Sequence, residues 1–106
     1  MYALIGILAN FKGGNMNPLS RDQINKRLKN LDGWHFDGDA IRKEWQFKDF
    51  QEALKFINRI GALAENHDHH PELYNVYNKV SLRFNTHSVG GITDKDFNIA
   101  TEIDEL

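Results

Sequence analysis

One stretch of eight residues, Glu65–Glu72, holds most of the side chains in this sequence that could move protons near neutral pH. It reads Glu-Asn-His-Asp-His-His-Pro-Glu, so three histidines and three carboxylates fall within eight residues. Imidazole titrates near neutral pH, and a neighbouring carboxylate can orient the ring and fix its tautomer. A further histidine, His87, follows seventeen residues after His70. The pattern favours proton transfer by histidine, with Glu65 or Asp68 as the orienting carboxylate.

Two other interpretations of the cluster stay open at this point. Histidines together with Asp68 and Glu65 are ligand types that bind zinc. Adjacent His69 and His70 would point apart in an extended chain, however, and the sequence has no HExxH-type spacing, so we predict no metal site. The cluster could also be a solvated loop, and we leave His67 with that interpretation because nothing else recruits it.

Composition limits the remaining classes of function. The chain has 106 residues, enough for one domain, with 41% hydrophobic and 26% charged residues. Its net charge of −2 does not favour nucleic acid as a direct partner, and the absence of cysteine excludes disulfides and thiolate catalysis. No apolar run approaches the roughly 20 residues of a membrane span, and no basic, long apolar leader is present. We therefore expect no membrane association and a cytoplasmic location.

Hydrophobic periodicity and capping signals predict the order helix, strand, strand, helix, strand, strand, helix. Ser20, Asp49 and Thr93 each precede a helical pattern and can cap it. Gly33 is a plausible end of the first helix, and Pro71 requires the second to end before it. Hairpins joined by helices predict an α+β fold of two layers, a four-stranded antiparallel sheet with its helices on one face.

Alternating residues predict the strands and their turns. The pattern Ile41–Phe47 reads as a strand with one buried face, to which Lys43 is an exception. Turn signals occur at residues 37–39 and at Asn78–Lys79.

The second helix has the strongest apolar stripe, and this stripe predicts its buried face. Phe56 and Leu63 lie off the stripe, so they widen the apolar surface and indicate contact with both the sheet and another subunit. The stripe consists of Phe50, Ala53, Leu54, Ile57, Ile60, Gly61 and Ala64.

The first fifteen residues read as an extension that precedes the domain. Met16 opens a sequence that looks like a natural start, so we divide the chain into an extension, 1–15, and a domain, 16–106. The segment Tyr2–Leu8 is apolar, and we expect it to add a strand or to pack on a neighbouring subunit.

Four segments together carry a resemblance to a known family. They are Asp68-His69-His70-Pro71-Glu72, Tyr74-Asn75-Val76-Tyr77-Asn78-Lys79-Val80, Thr86-His87 and Gly90-Gly91-Ile92-Thr93-Asp94-Lys95-Asp96. In these segments the chain resembles the pterin-4a-carbinolamine dehydratases, the family that includes the dimerisation cofactor of a homeodomain transcription factor. The similarity spans roughly residues 19–106. Leu73, Val89 and Ile92 depart from the family's pattern without removing a matched polar residue.

The resemblance implies an enzyme, a site and an assembly. The reaction would be dehydration of 4a-hydroxy-tetrahydrobiopterin to quinonoid dihydropterin by histidine acid–base catalysis during pterin recycling, without a metal or organic cofactor. The family also implies a homodimer formed by sheet extension or a homotetramer, and a protein partner. The alternative function is a non-catalytic module for protein binding, a coactivator or dimerisation factor. The implied catalytic residues are His69, His70 and His87, and the implied substrate-binding residues are Trp34, Glu65, Asp68, Pro71, Thr86, Ser88 and Asp96.

Overall fold

The computed structural model describes residues 17–106, in which three helices cover a four-stranded sheet. The predicted extension, including Tyr2–Leu8, lies outside the described residues. In chain order the elements are α1 (Arg21–Leu28), β1 (His35–Phe36), β2 (Ile41–Gln46), α2 (Phe50–His67), β3 (Glu72–Val76), β4 (Lys79–Phe84), a 3₁₀ turn (His87–Val89) and α3 (Asp94–Asp104).

The sheet has the strand order β1-β2-β4-β3, and every neighbouring pair is antiparallel. The side chains of Ile41, Val80, Leu82 and Phe84 point to one face and are fully buried there. The helices supply the other half of this core, and α2 packs against both β4 and α3. The predicted α+β fold with two layers is therefore confirmed.

Local capping sets the two ends of α2. Asp49 caps α2 by accepting a hydrogen bond from the backbone N–H of Glu52 at 2.9 Å. The same helix ends at His67 because Asp68 adopts a left-handed conformation, with φ of 48°. The chain therefore leaves the helix before Pro71, as predicted, and carries His69 and His70 into the connection to β3.

Two predicted boundaries are wrong. Helix α1 ends at Leu28, well before Gly33, which instead has φ of 82° and turns the chain into β1. The second hairpin turns at residues 77–78 rather than at Asn78–Lys79, because Val76 pairs with Lys79. The Asn75 amide stabilises this earlier turn by donating to the carbonyls of Tyr77 and Lys79.

The predicted stripe of α2 is confirmed in part, since Ala53, Ile60 and Ala64 are buried in the core. Phe50 and Leu54, which belong to the stripe, remain about 40% exposed, whereas Phe56 packs in the core with Trp45, the two ring centroids being 4.8 Å apart. Off-stripe Leu63 packs against the core too. The predicted contact of this widened apolar surface with the sheet is confirmed for Phe56.

Lys43 and the edge strand complete the sheet. Lys43 lies on the core-facing side of β2, where its ammonium donates to Asp104 at 2.9 Å, which explains a lysine in an apolar register.

Strand β3 is an edge of the sheet, and its Tyr74 and Val76 are 69% and 51% exposed. An edge strand offers unpaired backbone groups for sheet extension. The homodimer or homotetramer stays a prediction.

Candidate active site

His69 is buried where the chain leaves α2. Its backbone N–H donates to the carbonyl of Ala64 at 3.0 Å, which fixes the chain as it leaves α2. The imidazole is only 8% exposed, stacks on Phe84 at 5.8 Å, and brings Nε2 to 2.5 Å from Oδ1 of Asp96. A carboxylate accepts but cannot donate, so Nε2 carries a hydrogen, and in the neutral ring Nδ1 is then the acceptor.

Asp96 is the centre of a buried network that consists of Asp96, His69, Thr86 and Thr93. Its side chain is completely buried at the start of α3, where the helix dipole favours negative charge. Oδ2 accepts hydrogen bonds from the Thr86 hydroxyl at 2.8 Å and the Thr93 backbone N–H at 2.9 Å. Both oxygens are therefore engaged by the protein, and we call this set the Asp96 network.

His70 forms a second imidazole–carboxylate pair, but in solvent. Its Nε2 lies 2.6 Å from Oε2 of Glu65, which projects from the last turns of α2. The two side chains are 55% and 79% exposed. Consecutive histidines thus have opposite environments, since His69 is enclosed and His70 is open to a ligand.

His87 lies on a neighbouring loop that is tied to the same network. Thr86 and Gly91 form an isolated bridge, with the Thr86 N–H donating to the Gly91 carbonyl at 2.8 Å. Gly90 closes the loop with φ of 67°, and the exposed His87 and Ser88 lie in the 3₁₀ turn between. Because buried Thr86 bonds Asp96, His87 directly follows the network along the chain, just as His70 directly follows His69.

His67 is not the solvated loop residue of the sequence interpretation. It is the last residue of α2, its side chain is 22% exposed, and its Nε2 lies 2.9 Å from Oε2 of Glu102 on α3. The three clustered histidines therefore pair with three different carboxylates. Within residues 17–106, no three histidine or acidic side chains gather as ligands of a metal ion would.

Comparison with known proteins bears on what this arrangement is. A family model described as "Pterin 4 alpha carbinolamine dehydratase" matches residues 17–106. The chain belongs to the pterin-4a-carbinolamine dehydratase family. The match covers the whole of the described domain, including both histidine loops and α3.

Relatives and a solved structure agree with this membership. The chain is 39% identical over 93 residues to a protein of Nitrosospira multiformis, covering 88% of this chain and 82% of that one. It is 41% identical over 91 residues to a protein of Aquifex aeolicus, covering 86% and 92%. Both are named "Putative pterin-4-alpha-carbinolamine dehydratase". A crystal structure from Brucella melitensis, titled a transcriptional coactivator/pterin dehydratase, matches with a TM-score of 0.80 at 40% identity, covering 84% of this chain and 97% of that one.

A more distant structure shares the fold alone. It is a pterin dehydratase-like protein identified by its title as a RuBisCO assembly factor in the α-carboxysome. It matches at 18% identity with a TM-score of 0.60, over 70% of this chain and 88% of that one.

The remaining predicted pterin-binding residues of this family member differ in their access to solvent. Asp68 is exposed and Pro71 is half-buried beside His69 and His70. Trp34 is buried, and its indole N–H donates to Asp104 at 3.0 Å. Trp34 and His69 both contact Phe84, with ring centroids 6.0 Å and 5.8 Å away. Direct contact of these residues with a pterin stays a prediction.

Sequence reasoning missed two contributors to the site, Thr93 and Phe84. Thr93 was interpreted only as a helix cap, yet its hydroxyl lies 2.8 Å from that of Thr86. The signal that could have found it is the spacing of three from Thr93 to Asp96, which directs a capping carboxylate back to the N-cap backbone. Phe84 carried no such signal, because its contact with His69 is purely tertiary.

Two clefts of the domain lie away from the predicted catalytic histidines. One, of about 310 Å³, opens between β2, α2 and the end of α3 and includes Trp45, Phe56 and Arg59. The other, of about 390 Å³, lies between α1 and residues 90–92. None of the three predicted catalytic histidines lines either cleft. Catalysis at the two histidine loops stays a prediction.

No helix within residues 17–106 is long and apolar enough to cross a membrane.

Proposed function

We propose that this protein dehydrates 4a-hydroxy-tetrahydrobiopterin to quinonoid dihydropterin, as a hydro-lyase of pterin recycling. The observation that carries the proposal is that each exposed histidine of the site is bonded along the chain to a buried residue of the Asp96 network. Exposed His70 and His87 each directly follow a member of the buried Asp96 network along the chain, in a domain that belongs to the dehydratase family.

The reaction needs a proton donor and a proton acceptor and nothing that changes oxidation state. The C4a–O bond breaks, the hydroxyl leaves as water after protonation, N5 loses its proton, and a C4a–N5 double bond forms. A positioned acid or base typically contributes about 10² to 10⁴ in rate. Two or three imidazoles are therefore sufficient for catalysis without a cofactor.

Each histidine has a role that suits its environment. His70 and His87, which are exposed, act as the acid and base groups nearest the leaving hydroxyl. His69 presents Nδ1 as an acceptor because its Nε2 is committed to Asp96 at 2.5 Å, so it assists the removal of the N5 proton. Glu65 orients His70, with 2.6 Å between Oε2 and Nε2.

The other predicted site residues divide into contact and support. Asp68, Pro71 and Ser88 belong to the two histidine loops and contact the pterin in this proposal. Thr86 and Asp96 are 4% and 0% exposed, so they act through His69 rather than by touching substrate. Trp34 is 5% exposed, so it too supports the site, through its contact with Phe84 at 6.0 Å between ring centroids.

The test is the loss of enzymatically generated 4a-hydroxy-tetrahydropterin, followed by ultraviolet absorbance. The native chain should accelerate water loss, and His70→Ala and His87→Ala should each lower kcat by about 10² or more. His35→Ala is the matched control, since His35 is also exposed but lies on β1, opposite Arg42. Equal losses in His35→Ala would contradict the assignment.

A second candidate function is a non-catalytic protein-binding module. Phe50 and Leu54 remain exposed on α2, and the Brucella melitensis neighbour has coactivator in its title. This second function would be supported if the native chain is folded and does not accelerate the spontaneous reaction.

A further inference from the structure

We infer that Thr93 is a positioning residue for His69, which it holds in the Nε2–H tautomer through Thr86 and Asp96. The catalytic part of this inference rests on the proposed function. The structural part is that the Thr93 hydroxyl controls the tautomer of His69 through the two residues between them, and this can be measured without substrate.

The order of hydrogens in the network follows from the chemistry of its members. Asp96 only accepts, so the Thr86 hydroxyl must give its single hydrogen to Oδ2, 2.8 Å away. The contact of 2.8 Å between the hydroxyls of Thr86 and Thr93 then requires Thr93 to donate. Thr93 in turn accepts from the backbone N–H of Lys95 at 3.2 Å. The donors therefore run in one direction, from the backbone of α3 to Oδ2 of Asp96.

Burial makes this order difficult to change. Thr86, Thr93 and Asp96 are 4%, 1% and 0% exposed, so water does not compete for their hydrogen bonds. Rotation of the carboxylate would leave the Thr93 N–H or the Thr86 hydroxyl without an acceptor, which is costly in a dry site. Oδ1 is therefore kept free to accept from Nε2 of His69, and Nδ1 is the nitrogen left for proton transfer.

The alternative is that the hydroxyl of Thr93 serves only as a helix cap. Another capping hydroxyl, that of Ser20, is the matched control for this alternative. Ser20 caps α1 with a reciprocal capping box, accepting from the Gln23 N–H at 3.1 Å, but it makes no contact with the Asp96 network. Removal of either hydroxyl should destabilise a helix start. Only removal of the Thr93 hydroxyl should alter His69.

The experiment is nitrogen NMR of the histidine rings in uniformly ¹⁵N-labelled full-length chain, recorded across pH without substrate. In the native protein His69 should show the Nε2–H tautomer. Thr93→Val removes the hydrogen bond to the Thr86 hydroxyl and lets the Asp96 carboxylate turn away from Nε2, so the ring should shift toward a mixture of tautomers. Thr93→Ser should keep the native shifts, and Ser20→Ala should leave them unchanged. Thr93→Ala replaces Thr93→Val if the latter does not fold.

Kinetics supply the second measurement. Thr93→Val should lower kcat about tenfold with little change in KM, and Thr93→Ser should recover the native value. Native ring shifts in Thr93→Val, with a kcat equal to that of Ser20→Ala, would overturn the inference. A native chain that has the Nε2–H tautomer but no dehydratase activity would overturn the proposed function and still support the positioning role of Thr93.

Discussion

Two charged networks of this domain, built around Asp96 and Arg83, use the same kinds of contact with opposite consequences. Asp96 is fully buried and has the titratable ring of His69 as one of its partners. Arg83 lies on the open face of β4, where its guanidinium bonds three carboxylates and keeps 26% of its side chain exposed. We call this second set the Arg83 cluster, and its carboxylates are Asp37, Asp39 and Glu72.

The difference shows what makes an ionic network chemical rather than structural. Arg83 bonds Asp37 through two nitrogens, at 2.8 and 3.0 Å, and joins the β1–β2 turn to β3 and β4. Guanidinium stays charged at every working pH, so the cluster can hold strands together but cannot exchange a proton. The Asp96 network contains the imidazole of His69, and an imidazole can exchange a proton near neutral pH. The presence of a titratable ring and the burial of the network, rather than the number of contacts, separate the two networks.

The largest effect should come from Asp96→Asn. The substitution places amide hydrogens against the N–H of Thr93 or the ring of His69, so the ring loses its single tautomer. We expect kcat to fall about 10²-fold or more, as when a buried aspartate that orients a catalytic histidine is neutralised. Steady-state kinetics together with thermal unfolding measure both consequences. Activity retained at the native level would remove the Asp96 network from the mechanism.

Arg83→Met should give the converse result. The methionine side chain still covers the sheet, but three carboxylates lose their guanidinium partner. We expect the free energy of unfolding to fall by about 1–2 kcal/mol, because each partly exposed ion pair contributes little by itself. Urea denaturation measures this loss. The value of kcat should stay within about twofold of native at a temperature where the variant is folded. A large fall in kcat would show that the two regions are not independent.

Glu65→Gln should have a smaller effect than Asp96→Asn, although both remove a carboxylate partner of histidine. The Glu65–His70 pair is largely exposed, so water can replace the carboxylate as acceptor. We expect less than about a tenfold loss of kcat, measured in the same assay. A loss as large as that of Asp96→Asn would mean that burial does not separate the two pairs.

The smallest effect should be the response of the Arg83 cluster to acid. Hydrogen bonds from Arg83 hold the pKa of Asp37 below its ordinary value. A lowered pKa stabilises the fold fully above the ordinary aspartate value of about 4, and this contribution is lost as the pH falls through the lowered pKa. The difference in unfolding temperature between native chain and Asp37→Asn should therefore shrink only below about pH 4. A difference that shrinks between pH 5 and 7 would point to another group.

The elements were predictable because their signals are local. The caps at Ser20, Asp49 and Thr93 and the stop before Pro71 depend on neighbours within a few residues, and the structure has them as expected. The exposure of Leu54, a member of the predicted stripe, and the packing of Phe56 on Trp45 depend on how α2 lies against the sheet, which periodicity does not contain.

The site was predictable in its residue types and less so in its pairings. The histidine cluster was evident, but Asp96 lies 27 positions from His69 and Glu102 lies 35 from His67. Only the fold brings such residues together. The interpretation of His67 as solvated was wrong for that reason, and the role of Thr93 in the Asp96 network was missed.

The most direct test of the account is the rate of water loss from 4a-hydroxy-tetrahydropterin with the native chain and with the double variant His70→Ala/His87→Ala. Both proteins should be folded and compared at the same pH near neutrality. The native chain should accelerate water loss over the spontaneous reaction, and this acceleration should disappear in the double variant. Equal acceleration by both, or none by the native chain, would contradict a dehydratase that works through these two histidine loops.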